Sequence, residues 1–261
     1  MMVMRQRLQH RILAWGLCFI FFIAISILGL PSMAHAQSIQ KSSATEIPTQ
    51  SAGDAFRAAY ENRYTWDEQF PGYSAEVSIN TEGELYQGIV RVKPDLSVEV
   101  ANINKEEVPQ LIANQLRMEV IHRRRVPFEK LHGQKRFELE GTDESGAVKI
   151  REVGDGMDSH YKVKDKVITQ VNRKLGDVAV TVDTLGTAKT SEGYLVAHFQ
   201  TAFRNPQTGE VIEKQDVRDL HEKIGKYYLL TYRAIRSLKQ GNPGEKLAAE
   251  TLIRFNDIQP L

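Results

Sequence analysis

At Tyr73 the apolar period of this chain drops from 3.6 residues to 2. One later helical stretch apart, it stays there to the C-terminus. Tyr73, Ala75, Val77 and Ile79 alternate with Ser74, Glu76 and Ser78, the pattern of a strand with one buried face. Gly83 marks a tight reversal into a strand ending at Ile89–Val92, and Pro94-Asp95 turns the chain into Leu96, Val98 and Val100. Such short connections permit only antiparallel neighbours. After Gly133 the same pattern predicts strands at 135–141, 147–153, 159–164, 166–174, 177–184, 194–204, 210–219, 226–236 and 249–256, separated by turn-forming clusters such as Asn205-Pro206-Gln207-Thr208-Gly209.

Two helices interrupt the strands. Phe56, Ala59, Tyr60 and Tyr64 follow Asp54, a good N-cap, at helical spacing. Val108, Leu111, Ile112, Leu116 and Val120 line one face of a second helix near 104–122, with Asn104 and Glu107 as a capping box. Segments 194–203 and 227–235 carry apolar residues on both faces, which predicts cover on both sides. The expected fold is α+β: a large curved antiparallel sheet, half-barrel-like, wrapped around one or two helices.

The N-terminus carries a different message. Arg5, Arg7 and Arg11 precede an uncharged apolar run from Ile12 to Leu30, then Pro31 and Ala34-His35-Ala36 before Gln37. A basic start, apolar middle and small-residue exit read as a secretory signal over 1–36, cut between Ala36 and Gln37. The run is also long enough to persist as an uncleaved anchor, since roughly 18 apolar residues can span a bilayer. Residues 37–53 are polar and rich in Ser, Thr and Gln, a flexible linker. A single domain is expected over 54–261, acting outside the cytoplasm.

Cys18, the one cysteine, lies inside the leader, so neither disulfides nor thiolate chemistry are open to the mature chain. Without the leader's three arginines, 31 basic residues face 33 acidic ones, a formal charge of −2. That balance argues against a nucleic-acid partner. No P-loop, nucleophile elbow, dinucleotide fingerprint or H-E-x-x-H pair occurs, so neither catalytic residues, metal ligands nor a cofactor are predicted.

Two local clusters stand out. Tyr60, Tyr64, Trp66, Phe70 and Tyr73 fall within fourteen residues, either an aromatic mouth for an apolar ligand or rings that fasten a helix end to the sheet. This segment, Ala59 to Tyr73, resembles the opening of a family of cyanobacterial and plant plastid proteins, domain of unknown function 3386. The resemblance runs from about Asp54 to the C-terminus and implies a photosynthetic lineage and a periplasmic or thylakoid-lumen address, but no reaction. The element order also resembles periplasmic lipoprotein-carrier half-barrels, whose early strand is similar to Gly88–Pro94. Arg123, Arg124 and Arg125 head the only basic cluster, either a contact for anionic lipid headgroups or a solvated helix end.

The leading expectation is a non-enzymatic exported module holding a lipid or pigment in the half-barrel. The alternatives are an assembly factor with a packed core at a photosynthetic membrane, contacting the membrane surface or a membrane complex, and a hydrolase whose Ser-His-carboxylate triad is assembled by folding.

Overall fold

The computed structural model describes residues 51–154, 159–240 and 246–261. The leader, its Ala36–Gln37 junction, residues 37–50 and the Asp155–Asp158 turn lie outside them. Twelve strands form one antiparallel sheet: β1 (Tyr73–Thr81), β2 (Glu84–Val92), β3 (Val98–Ala101), β4 (Arg136–Thr142), β5 (Val148–Val153), β6 (Ser159–Lys164), β7 (Val167–Leu175), β8 (Val178–Thr190), β9 (Gly193–Arg204), β10 (Val211–Ile224), β11 (Tyr227–Gln240) and β12 (Lys246–Pro260). Among the described residues, three helices accompany them: α1 (Ala52–Glu61), α2 (Glu107–Arg123) and the short α3 (Phe128–His132).

The strand order is β3-β2-β1-β12-β11-β10-β9-β8-β7-β6-β5-β4. Every neighbour but one is a hairpin partner, as the short turns require. The exception is β1, which pairs with β12 through Val77 opposite Phe255 and Ile79 opposite Ile253, so the N-terminal meander is joined to the sheet by its last strand. Between β1 and β2, Glu82 and Gly83 both take positive φ, the conformation of a two-residue hairpin whose twist matches its strands.

Helix starts differ from the sequence pattern. Ser51, not Asp54, caps α1: its hydroxyl oxygen accepts from the Asp54 N–H at 3.1 Å, and Asp54 occupies the first turn. Helix α2 has no side-chain cap, so the Asn104–Glu107 box is not formed. Pro109 falls in its first turn, where a missing N–H leaves no intrahelical bond unmade.

The half-barrel expectation is corrected. The sheet is open, with β3 and β4 as unpaired edges, and is neither closed nor strongly curled. The helices do not share one interior. Helix α2 covers Val77, Ile79, Val90, Ile253 and Leu230 with its Val108, Ile112, Leu116 and Val120. Helix α1 builds a second core, Phe56 and Ala59 against Ile150, Tyr161 and Val163, with Phe128 and Phe137 at its margin. Two separate caps on one open sheet replace the single wrapped interior.

The two-faced strands have a local cause. Residues 62–70 cross the sheet at the ends of β9 and β11 and bury neighbouring residues there. The Tyr64 N–H donates to the Tyr194 carbonyl and the Tyr194 N–H to the Asn62 carbonyl, both at 2.9 Å, so Tyr194 and Leu195 are buried together. A bulge between Leu220 and His221 shifts the β10–β11 register, and Leu229 and Leu230 are likewise both buried.

Gly193 permits this crossing. Its φ is +135°, and a Cβ would run into the Asn62 carbonyl. Gly193→Ala is expected to destabilise the fold by about 2 kcal/mol or more, through strain and displacement of the clamp. Urea unfolding checks this, with Gly176→Ala, in an open turn, as the comparison that reports φ strain alone.

Candidate functional site

The aromatic segment is committed to packing. Tyr60, Tyr64, Trp66, Phe70 and Tyr73 are each 7% exposed or less. Trp66 and Phe70 stack with centroids 4.1 Å apart, and Phe70 meets Tyr227 edge-on at 5.0 Å, geometries worth about 0.5–1.5 kcal/mol beyond burial. Their polar atoms are engaged too. The Trp66 Nε1–H donates to the Tyr228 carbonyl at 3.1 Å, the Tyr64 hydroxyl accepts from the Tyr228 N–H at 2.9 Å, and the Tyr60 hydroxyl donates to the Val126 carbonyl at 2.8 Å. Tyr64, Trp66, Phe70 and Tyr73 share one core at the sheet end, while Tyr60 packs separately against Phe56, Phe128 and His132.

The basic cluster divides. Arg123 is 5% exposed; its Nε donates to Glu119 Oε1 at 2.7 Å and one terminal nitrogen reaches the Tyr64 carbonyl at 3.3 Å. Arg124 and Arg125 are exposed, with Arg125 Nε donating to Thr65 Oγ1 at 3.1 Å. The Trp66 N–H donates to the Arg123 carbonyl at 2.7 Å, fixing the direction in which the chain leaves α2. Lys130 is exposed, and the Arg136 side chain is 73% exposed beside Glu138.

Beneath α2 lies a buried ionic network without a sequence motif. Asp219 on β10 accepts two parallel bonds from Arg233 on β11, at 2.7 and 2.6 Å. Arg233 also bonds the carbonyl and side chain of Gln115 on α2. Glu119 receives Arg123 at 2.7 Å and His221 Nε2 at 3.0 Å, with Arg233 at 3.6 Å. Burial alone would raise the Glu119 carboxyl, but Arg123, His221 and Arg233 hold it well below its usual range. Two carboxylates thus meet two guanidinium groups.

Glu119, Asp219 and His221 place donor atoms within 4.8 Å of one another, the spacing of a metal site. The chemistry does not fit one: both arginines already occupy the carboxylate oxygens, and a divalent ion would have to displace them. The network reads instead as a clamp between helix and sheet.

A second buried set lies under α1 and α3. His132 Nδ1 is 2.6 Å from Glu152 Oε1, and the Tyr161 hydroxyl donates to Glu152 Oε2 at 2.7 Å. Phe56 and Tyr60 stand edge-on to the His132 ring at 5.1 and 5.0 Å. Burial pushes the Glu152 carboxyl up, yet the bonds from His132 and Tyr161 bring it below its ordinary value. On the other face of the sheet, half-buried His198 pairs with Asp216 at 3.0 Å, and His160 pairs with Glu140 at 3.0 Å at the β4 edge.

These placements correct the expected functions. The carrier reading needed a half-barrel interior; among the described residues, an open sheet with two packed caps stands in its place. The assembly-factor reading is not confirmed either, and among the described residues no helix is long and apolar enough to cross a bilayer. The hydrolase reading needed a serine on an imidazole. Among the described residues, the bonds of His132, His160, His198 and His221 run to carboxylates and none to a serine.

Fold and site together define a class: an open antiparallel sheet capped by helices that buried charge pairs hold down. A family described as "Protein of unknown function (DUF3386)" matches residues 47–261, and the chain belongs to it. Among solved structures it is similar to "Crystal structure of MucB in complex with MucA(peri)" at 9% identity, over 80% of this chain and 99% of that one, with a TM-score of 0.22. "The complex structure of Pseudomonas aeruginosa MucA/MucB" gives 10% identity, 80% and 98% coverage, and 0.22. A DUF1329 family protein from Desulfovibrio piger ATCC 29098 gives 10% identity, 81% and 94% coverage, and 0.25. Likenesses at these TM-scores carry no inference about this chain. No curated protein matches it.

Two outcomes follow from the networks. Arg233→Ala leaves Asp219 buried and uncompensated and is expected to cost about 3–5 kcal/mol in urea unfolding. Glu119 and Glu152 bind protons less readily folded than unfolded, so their contribution is complete above their ordinary value of 4.5 and lost as pH falls through the lower folded values. Thermal melts should therefore weaken below that pH. In Glu152→Gln, the part of this acid sensitivity due to Glu152 should disappear.

Proposed function

We propose that this protein docks from solution onto anionic lipid headgroups through the stretch that links α2 to β4. The observation that carries this reading is the exposure of Arg124, Arg125 and Lys130 in a stretch where basic residues far outnumber acidic ones. Between residues 121 and 136 stand Arg123, Arg124, Arg125, Lys130, Lys135 and Arg136, against Glu129 as the single acid. Glu129 is itself paired with Arg57 at 2.7 Å, a cation that it shares with Glu61. Ile121, 43% exposed, stands on the last turn of α2, just before the chain leaves the helix at Arg124 and Arg125.

Each cation near an anionic leaflet contributes roughly 1 kcal/mol, so three give about a hundredfold preference for a charged over a neutral surface. The attraction acts within a Debye length, about 8 Å at physiological salt, and must weaken as salt rises. The leader supports an exported address, periplasm or thylakoid lumen, on whose membrane face such a contact would form.

Co-sedimentation with vesicles tests the reading. Mixed phosphatidylglycerol–phosphatidylcholine vesicles should bind the mature protein, and phosphatidylcholine alone should not. The R124E/R125E double variant should lose tenfold or more in binding while keeping its melting temperature. Equal binding to both vesicle types, or an unaffected double variant, would reject it.

A further inference from the structure

On the sheet face away from α2, strands β1, β2 and β12 and the residue after β3 form an open depression of about 290 Å³, lined by Glu76, Ser78, Gln87, Ile89, Asn102 and Asn256. We propose that it binds a small polyhydroxylated molecule, a saccharide ring or its open-chain equivalent.

The strand registers assemble the lining. Glu76 stands between Asn256 on β12 and Ile89 on β2, and Ser78 is opposite Gln87. The β1–β12 register shifts between Ser74 and Glu76, and this irregularity sets Asn256 across from Glu76. Asn102 reaches the rim because Gly88 has no side chain: a Cβ there would run into Ile103 and the Ala101 carbonyl, so only glycine lets the chain after β3 lie across β2. Asn102 takes a φ of +64°, which asparagine tolerates better than most residues.

The chemistry of the lining selects the ligand. Among the described residues, none of the five polar side chains has a hydrogen-bond or ion-pair partner, in contrast to the His198–Asp216–Gln200 group on the same sheet. Three amides both donate and accept, the Ser78 hydroxyl does either, and the Glu76 carboxylate accepts two bonds. Adjacent hydroxyls of a sugar ring present that same mixture. Ile89, 37% exposed, offers an apolar ledge for the ring's C–H face. An anion would meet Glu76, and an apolar ligand would strip water from five polar groups. A divalent cation would find one charged ligand. The volume lies at the lower end of small-molecule sites, roughly 300–1,000 Å³, which suits one ring. Openness to solvent implies a dissociation constant on the order of 1 mM or weaker.

The test is amide and side-chain chemical-shift titration of the isotope-labelled mature protein with glucose, galactose, N-acetylglucosamine and sucrose, and separately with calcium chloride. At least one sugar should saturate shifts confined to residues 76–78, 87–89, 102 and 256. Glu76→Gln should weaken that sugar at least threefold, and Asn102→Ala with Asn256→Ala should abolish the response in a protein whose spectrum is otherwise unchanged. No saturable response to any of the four sugars, shifts that persist in the double variant, or a response to calcium alone would overturn the proposal. Vesicle binding is read separately, so failure here leaves the headgroup contact standing.

Discussion

Two carboxylates taken out of water need compensating charge wherever they go, and that demand organises much of this molecule. Glu119 comes from α2 and Asp219 from β10, while Arg123 and Arg233 come from α2 and β11. Arg233 serves Asp219, Gln115 and, at longer range, Glu119, so helix and sheet cannot slide without exposing one charge and orphaning another. Hydrophobic packing of Val108, Ile112 and Leu116 attracts α2 to the sheet without direction. The guanidinium forks add direction, since two parallel bonds tolerate little rotation. Arg124 and Arg125 leave the helix immediately after Arg123, so their placement on the surface follows from the buried pair before them.

Much of the secondary structure was legible because it rests on local periodicity. All nine strand segments read after Gly133 correspond to strands, and both longer helices form over most of their apolar stripes, although α1 stops at Glu61 and leaves Tyr64 to the crossing segment. Sheet shape was not legible in the same way. Apolar residues on both faces of 194–203 and 227–235 read as cover from two layers, whereas residues 62–70 cross the strand ends and a bulge flips the register at Leu220. Neither a crossing loop nor a bulge leaves a periodic trace, and the half-barrel was inferred in their place.

The site was less legible than the fold. Arg123 was read with Arg124 and Arg125 as one basic run, yet burial separates them completely. The Glu119–Arg123 spacing of four residues on a helix was the one available signal. Asp219 and Arg233 are fourteen residues apart, and the register that makes them partners is fixed by hairpin geometry. The polar depression depends on β1 lying between β2 and β12, a neighbourhood that no short-range pattern announces.

That neighbourhood also dictates timing. Strands β1 to β3 gain their second flank only from β12, so the earliest part of the domain to be synthesised waits for nearly the last residues of the chain. Closure over such a separation is entropically slow, and a meander without its flank has little independent stability. The β1–β3 meander therefore reaches its final pairing only after β12 has been made, whereas the hairpins of β4 to β11 need only their neighbours in sequence.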